Sequence, residues 1–341
     1  MTWLGDLEAA ARRALPDYVY GYYAMAAGDG QTHTEGIRDW ATPRLRPRVL
    51  AGGFTPTTET TVLGQPIYTP LMVAPMAQLI AAHPDGEAAV GTAAAAVGSL
   101  LGVSMHTAVP FPQIQQTGAP WWFQVYVMRD RDRTADLVLR ARDAGARALI
   151  LTVDLPSLAT RVLQYEPSSW PDRNLARRGS VLPAAPAEGG ITDDALGPET
   201  IDWLHQLSGL PVVVKGVLRG DDARRCAEAG AAAVIVSTHG GRALDRSVTS
   251  ASVLAEIAAA LTGTGVEVYA DSGLRSGTDV LVALALGARA VFVGRPALWG
   301  LSTAGSAGVE QVLTALTADL QVAMKFTGVR DVRAVPGDLL A

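Results

Sequence analysis

The sequence predicts an α/β fold: a (β/α)8 TIM barrel with an N-terminal helical and hairpin cap and a long loop after strand 4. Three observations carry that prediction. Eight short apolar runs recur at intervals typical of βα units. Alanine-rich helical patterns lie between them, and each run ends in a polar or specially shaped residue. A doubly wound open sheet shares the alternation, but eight strand–helix repeats fit a closed ring better. The 341 residues are read as one domain, with residues 1–69 as the cap and 70–326 as the barrel.

In chain order, Met1 to Ala14 is an amphipathic helical pattern with charges throughout, unlike a signal peptide. The cap holds two helical stretches and then a hairpin, Thr60–Val62 with Ile67–Thr69, around Gly64-Gln65. It is expected to close the amino-terminal end of the barrel or to border the site. The strands follow as Pro70–Pro75, Leu100–Ser104, Trp121–Val127, Arg147–Asp154, Pro211–Val217, Ala232–Ser237, Val266–Ser272 and Ala290–Pro296. Helical patterns between them include Gly86–Val97, Thr134–Ala144, Asp221–Ala229 and Thr278–Leu286. Three strands are introduced by Ala144-Gly145-Ala146, Ala229-Gly230-Ala231 and Leu286-Gly287-Ala288, where glycine is the expected left-handed cap. Residues 157–198 lack an apolar period and carry Pro167, Pro171, Pro183, Pro186 and Pro198; a loop that long is a lid or a disordered segment.

Composition narrows the function. Hydrophobic content of 49% with 18% charged residues is that of a globular protein. A net charge of −5 without a dense basic run argues against a nucleic-acid partner. The one cysteine, Cys226, forms no intrachain disulfide, and no Cys/His spacing suits a metal. No apolar stretch reaches the roughly 20 residues that span a bilayer, so a soluble, cytoplasmic protein is expected. Only two of the 28 Lys+Arg residues are lysines, which makes Lys215 at a strand end conspicuous.

Ligands sit at the carboxyl ends of the strands in such folds. There the sequence offers Ala74-Pro75-Met76-Ala77, Ser104, Gln124 with Tyr126, Thr152 with Asp154, and Lys215. Beyond these come Ser237, His239 and Arg242, then Asp271-Ser272-Gly273-Leu274-Arg275, and finally Gly294-Arg295. A titratable imidazole and a fixed cation three residues apart suggest chemistry on an anionic substrate. Barrels commonly bind phosphate with the loops after strands seven and eight. Here both loops combine glycine with arginine, so a phosphorylated cofactor is expected.

With these residues in place, the chain resembles the FMN-dependent α-hydroxy acid oxidases and dehydrogenases, which oxidise glycolate, lactate or mandelate. The likeness rests on Tyr22-Tyr23, Arg46-Pro47-Arg48-Val49-Leu50, His83-Pro84-Asp85-Gly86-Glu87, Phe123-Gln124-Val125-Tyr126 and Thr152-Val153-Asp154. It continues through Lys215-Gly216, His239-Gly240-Gly241-Arg242 with Leu244-Asp245, and Gly277-Thr278-Asp279 followed by Ala283-Leu284-Ala285-Leu286-Gly287-Ala288. The resemblance implies oxidation of a 2-hydroxy acid to a 2-oxo acid, with His239 as base and flavin N5 as electron acceptor. It makes Asp154 the partner of His239, and Tyr126 a catalytic contact to the substrate hydroxyl. Arg242, Arg161 and Tyr22 would hold the substrate carboxylate. Lys215 would lie beside N1 and the C2 carbonyl of the flavin; Gln124, Thr152 and Ser104 would bind its polar edge, and the Ala74–Ala77 turn its N4 or N5 region. Oxygen or another acceptor would reoxidise the flavin, and family members are commonly homotetramers.

Departures from the family pattern fall on the substrate side. Thr238 stands where asparagine usually precedes the catalytic histidine, and Met105-His106 follows Ser104. Met76 occupies the flavin turn, and Val162-Leu163-Gln164-Tyr165 follows Arg161. The same scaffold could accordingly act on an amine or an unusual carboxylate, including oxidative decarboxylation. A non-catalytic flavin-binding protein and a phosphosugar or nucleotide barrel enzyme are further alternatives.

Overall fold

The computed structural model describes residues 2–156, 193 and 195–341. Three helices, α1 (Thr2–Ala14), α2 (Asp17–Ala24) and α3 (Gln31–Arg38), precede a hairpin of β1 (Thr60–Val62) and β2 (Gln65–Ile67). Eight parallel strands then close a barrel in the order β10-β3-β4-β5-β6-β7-β8-β9. They are β3 (Leu71–Val73), β4 (Leu101–Ser104), β5 (Trp121–Val125), β6 (Leu149–Thr152), β7 (Val212–Val217), β8 (Ala233–Val236), β9 (Glu267–Ala270) and β10 (Ala290–Val293). Each lies within its expected range. The intervening helices are α4 (Gly86–Ala96), α5 (Phe111–Gln115), α6 (Arg131–Asp143), α7 (Glu199–Ser208), α8 (Gly220–Glu228), α9 (Ser250–Ala260), α10 (Gly277–Ala285) and α11 (Arg295–Thr327). The last is two helices joined at Ala304–Gly305, where Gly305 has φ 58° and ψ −136°. Gly145, Gly230 and Gly287 all have positive φ, as their cap positions require.

Alternate strand residues turn inward. Met72, Trp122, Ile150, Val213, Ile235, Tyr269 and Phe292 form an inner cluster with Val62 and Ile67 of the hairpin. Their neighbours Leu71, Val73, Phe123, Leu149, Leu151, Val212 and Val214 face outward into the core shared with the helices. The rings of Trp122, Tyr269 and Phe292 stand 5.6 to 6.2 Å apart. Burial of each contributes on the order of 1.5–3 kcal/mol.

The hairpin closes the amino-terminal end. The Leu63 amide donates to Glu267 Oε2 at 3.1 Å, and Arg289 donates to the Thr61 carbonyl and hydroxyl. The hairpin register differs from expectation. Val62 pairs with Gln65, so the turn is Leu63-Gly64 and the returning strand is Gln65–Ile67, not Ile67–Thr69. Both turn residues have positive φ, 47° and 76°, the twist a two-residue hairpin loop needs. The cap also holds three α-helices, not two. Pro16, which lacks an amide hydrogen, separates α1 from α2, and Gly30 at φ 78° precedes α3.

Most of the expected lid, 157–198, and with it Arg161, lies outside the described residues. No helix among the described residues is long and apolar enough to cross a membrane.

Candidate active site

Along each strand, the inward positions beyond the apolar layer become polar. On β5 the inward series runs Trp122, Gln124, Tyr126, and on β6 it runs Ile150, Thr152, Asp154. On β7 it runs Val213, Lys215; on β8 Ile235, Ser237, His239; and on β9 Tyr269, Asp271. These carboxyl ends surround a cavity of about 360 Å³. Tyr22, the Ala74–Ala77 turn, Ser104, Gln124, Tyr126, Thr152, Lys215, His239, Arg242, the 271–275 loop and Gly294-Arg295 all line it. Asp154 stands behind the cavity wall.

His239 Nδ1 lies 2.9 Å from Asp154 Oδ1. The residue has φ 56°, a left-handed conformation uncommon for a side-chain-bearing residue, held by its amide donating to Ser237 Oγ at 3.0 Å. Burial pulls the imidazole pKa below its ordinary value, and Asp154 opposes that without reversing it. Burial would raise the Asp154 carboxyl, but the charges of His239 and Lys215 hold it below the usual range. Near neutral pH the imidazole is thus uncharged beside an ionised carboxylate, and Nε2 has no hydrogen-bond partner among the described residues. Gly216, beside the bulge where β7 shifts register on β8, permits this approach. A Cβ there would come within 2.5 Å of Asp154 Cβ.

Lys215 Nζ donates to Ser237 Oγ at 2.8 Å and stands 3.4 Å from Asp271 Oδ2, both side chains being under a tenth exposed. Ser272 closes the network. Its hydroxyl donates to Asp271 at 2.7 Å and accepts from the Thr238 and Gly240 amides, which orients the loop carrying His239. The same cage of bonds sustains its φ of 71°.

Arg242, Arg275 and Arg295 crowd one corner. Arg295 donates to the carbonyls of Tyr23, Met25 and Gly240, tying the end of α2 to the His239 loop. Arg242 donates to the Tyr22 carbonyl at 2.7 Å and stacks over the Tyr22 ring. Arg275 Nη1 donates to the Leu274 carbonyl. Burial, then the neighbouring Arg242 and Arg275, push Arg295 down to about 9. Among the described residues neither Arg275 nor Arg295 has an ion-pair partner. A corner so charged calls for an anionic ligand.

Two further atoms point to a ligand with a polar edge. Gln124 Nε2 and Thr152 Oγ1 are buried with no hydrogen-bond partner among the described residues, although both side chains line the cavity. An unmet buried polar group costs about 1–3 kcal/mol. A heteroaromatic ring bearing carbonyl and imide groups, with a phosphate at its far end, satisfies both the orphaned atoms and the arginines. FMN fits this donor set.

Reading strand ends alone passed over Tyr23 and His33. Tyr23 OH donates to the Gln78 carbonyl at 2.6 Å. His33 Nδ1 sits 3.3 Å from the Gly240 carbonyl and 3.2 Å from Arg295 Nη1, and burial then Arg295 lower its pKa to about 4. Asp245 plays a structural part, since its carboxylate accepts the amides of Asp29 and Thr32 and so anchors the start of α3.

The geometry defines a flavin-type oxidoreductase barrel. Comparison with known proteins specifies it further: the FMN-dependent dehydrogenase pattern matches residues 11–341, and the chain belongs to that family. An L-lactate oxidase of Nostoc sp. is 41% identical, covering 95% of this chain and 94% of its own. A 4-hydroxymandelate oxidase of Amycolatopsis orientalis is 38% identical over 97% and 96%. A mandelate oxidase variant solved with (S)-mandelic acid superposes with a TM-score of 0.87 at 38% identity, covering 99% of this chain and 97% of that one. The chain is an FMN-dependent oxidoreductase that converts a 2-hydroxy acid to a 2-oxo acid.

Proposed function

We propose that His239 Nε2 is the base of this oxidation, and the hydrogen bond from its other nitrogen to Asp154 is the observation that carries the reading. Converting the alcohol carbon to a carbonyl removes two electrons and two protons. When bound, FMN would supply the acceptor for both electrons and for one of the two protons, and the other proton goes to His239 Nε2. The ionised Asp154 fixes the tautomer and favours the imidazolium that forms. Tyr126 meets the substrate hydroxyl, while Arg242 and the Tyr22 hydroxyl receive the carboxylate. Lys215 would add a buried cation beside N1 and the C2 carbonyl of FMN, where it would stabilise the reduced ring. Gln124, Thr152 and Ser104 would meet its polar edge, and the Ala74–Ala77 turn would contact its N4 or N5 region. The Asp271–Arg275 loop with Gly294-Arg295 receives the phosphate, with Arg295 also bracing the His239 loop.

Oxygen is the proposed acceptor, supported by the oxidase names of the relatives. The whole chain acts as one catalytic domain in a cytoplasmic homotetramer.

The purified protein should be yellow and should bleach anaerobically with 2-hydroxy acids, yielding products that keep the carboxylate. His239→Gln should stay yellow but reduce about 10²- to 10⁴-fold more slowly. Unchanged reduction in that variant removes His239 from the base role.

A further inference from the structure

One cavity side chain has no part in the oxidation just described. His106 lines the cavity beside Tyr126, its ring centroid 5.9 Å from the tyrosine's. Its backbone is firmly held. The His106 amide donates to Ser104 Oγ at 3.1 Å, the Thr107 amide donates to the Ser104 carbonyl at 3.0 Å, and Ser104 in turn donates to Gln124. Just before it, the Met105 sulfur accepts the Tyr126 amide, and the Met105 side chain is buried in the outer core. Met105 therefore points away and His106 toward the cavity.

Neither ring nitrogen of His106 has a hydrogen-bond partner among the described residues. Burial lowers the imidazole pKa, so the ring is neutral and offers one donor and one acceptor. A purely aliphatic or phenyl substituent would cover both nitrogens without satisfying either. A hydroxyl, carbonyl or carboxamide would satisfy one or both. The wall facing His106 thus favours a substrate that is polar beyond its reacting carbon.

We infer that His106 is a specificity-determining residue that hydrogen-bonds a polar group on the side chain of the 2-hydroxy acid. This rests on the reading of the cavity as a 2-hydroxy acid site and names the class of acid within it.

The test uses holoenzyme and size-matched pairs, 2,4-dihydroxybutyrate against 2-hydroxyvalerate and 4-hydroxymandelate against 4-methylmandelate. Two quantities are read: kcat/KM, and the Kd of the matching 2-oxo acids from the shift in flavin absorbance. The polar member of at least one pair should be preferred about 10- to 100-fold. His106→Phe should flatten that ratio, and His106→Gln should keep part of it. Equal treatment of both members of both pairs by the unmodified enzyme overturns the assignment, as does a preference that survives in His106→Phe. Should no acid reduce the flavin, the 2-hydroxy acid reading fails, while the oxo-acid Kd ratios still decide whether His106 selects polar ligands.

Discussion

At its amino-terminal end the barrel interior packs Trp122, Tyr269 and Phe292 against Val62 and Ile67. One pleat further along the same strands, about 6.6 Å, it carries Gln124, Asp271 and Gly294. The lower layer is apolar and filled by a hairpin. The upper layer holds a buried lysine–aspartate pair, a histidine–aspartate pair and three clustered guanidinium groups. Stability and chemistry are thus stacked on common strands and separated by two residues. The lower end tolerates no opening, whereas the upper end is left open and polar for a ligand.

Substitutions at the two ends should therefore behave differently. The largest effect is expected from Lys215→Met. It strands Asp271 in the interior and should lower the stability of FMN-free protein by about 3–5 kcal/mol in urea unfolding. Adding Asp271→Asn should recover part of that loss; no recovery would mean the pair is not what Lys215 stabilises. Next comes Asp154→Asn. Losing a hydrogen bond to a group that becomes charged should slow flavin reduction about 10- to 100-fold. Asp154 raises the His239 pKa against the effect of burial. Its neutralisation should consequently move the acid limb of kcat/KM to still lower pH, from a starting point already below about 6.5. A limb that moves upward contradicts the orientation role. The smallest effect is expected at the lower end, where Ile67→Val should cost about 0.5–1.5 kcal/mol and leave the reduction rate unchanged. A slowed reduction there would show that the two layers are coupled.

The eight strands were legible because each is an apolar run that ends in a polar or specially shaped residue. Gln124, Thr152, Lys215 and His239 could be assigned to one rim because each falls at the carboxyl end of such a run. The hairpin register was not legible. Gly64 signals a turn, but the partner that accepts positive φ is Leu63, a residue with no local preference for it. Two helical stretches were expected in the cap where three helices form, because α2 and α3 are only eight residues each, too short for a clear apolar period. His33 escaped notice, and Tyr23 was given no place at the site, because their positions depend on how the cap folds over the barrel mouth. Arg295 was recognised as a cavity residue, yet its bonds to three carbonyls of distant segments have no sequence signature.

Gly216 carries a consequence for anyone altering this protein. The acid behind the imidazole reaches it only because a neighbouring strand omits a methyl group at one irregular step. The proton affinity of that imidazole is therefore governed partly by steric vacancy, and redesigns that restore a regular β7 would detune the proposed base without touching any polar atom.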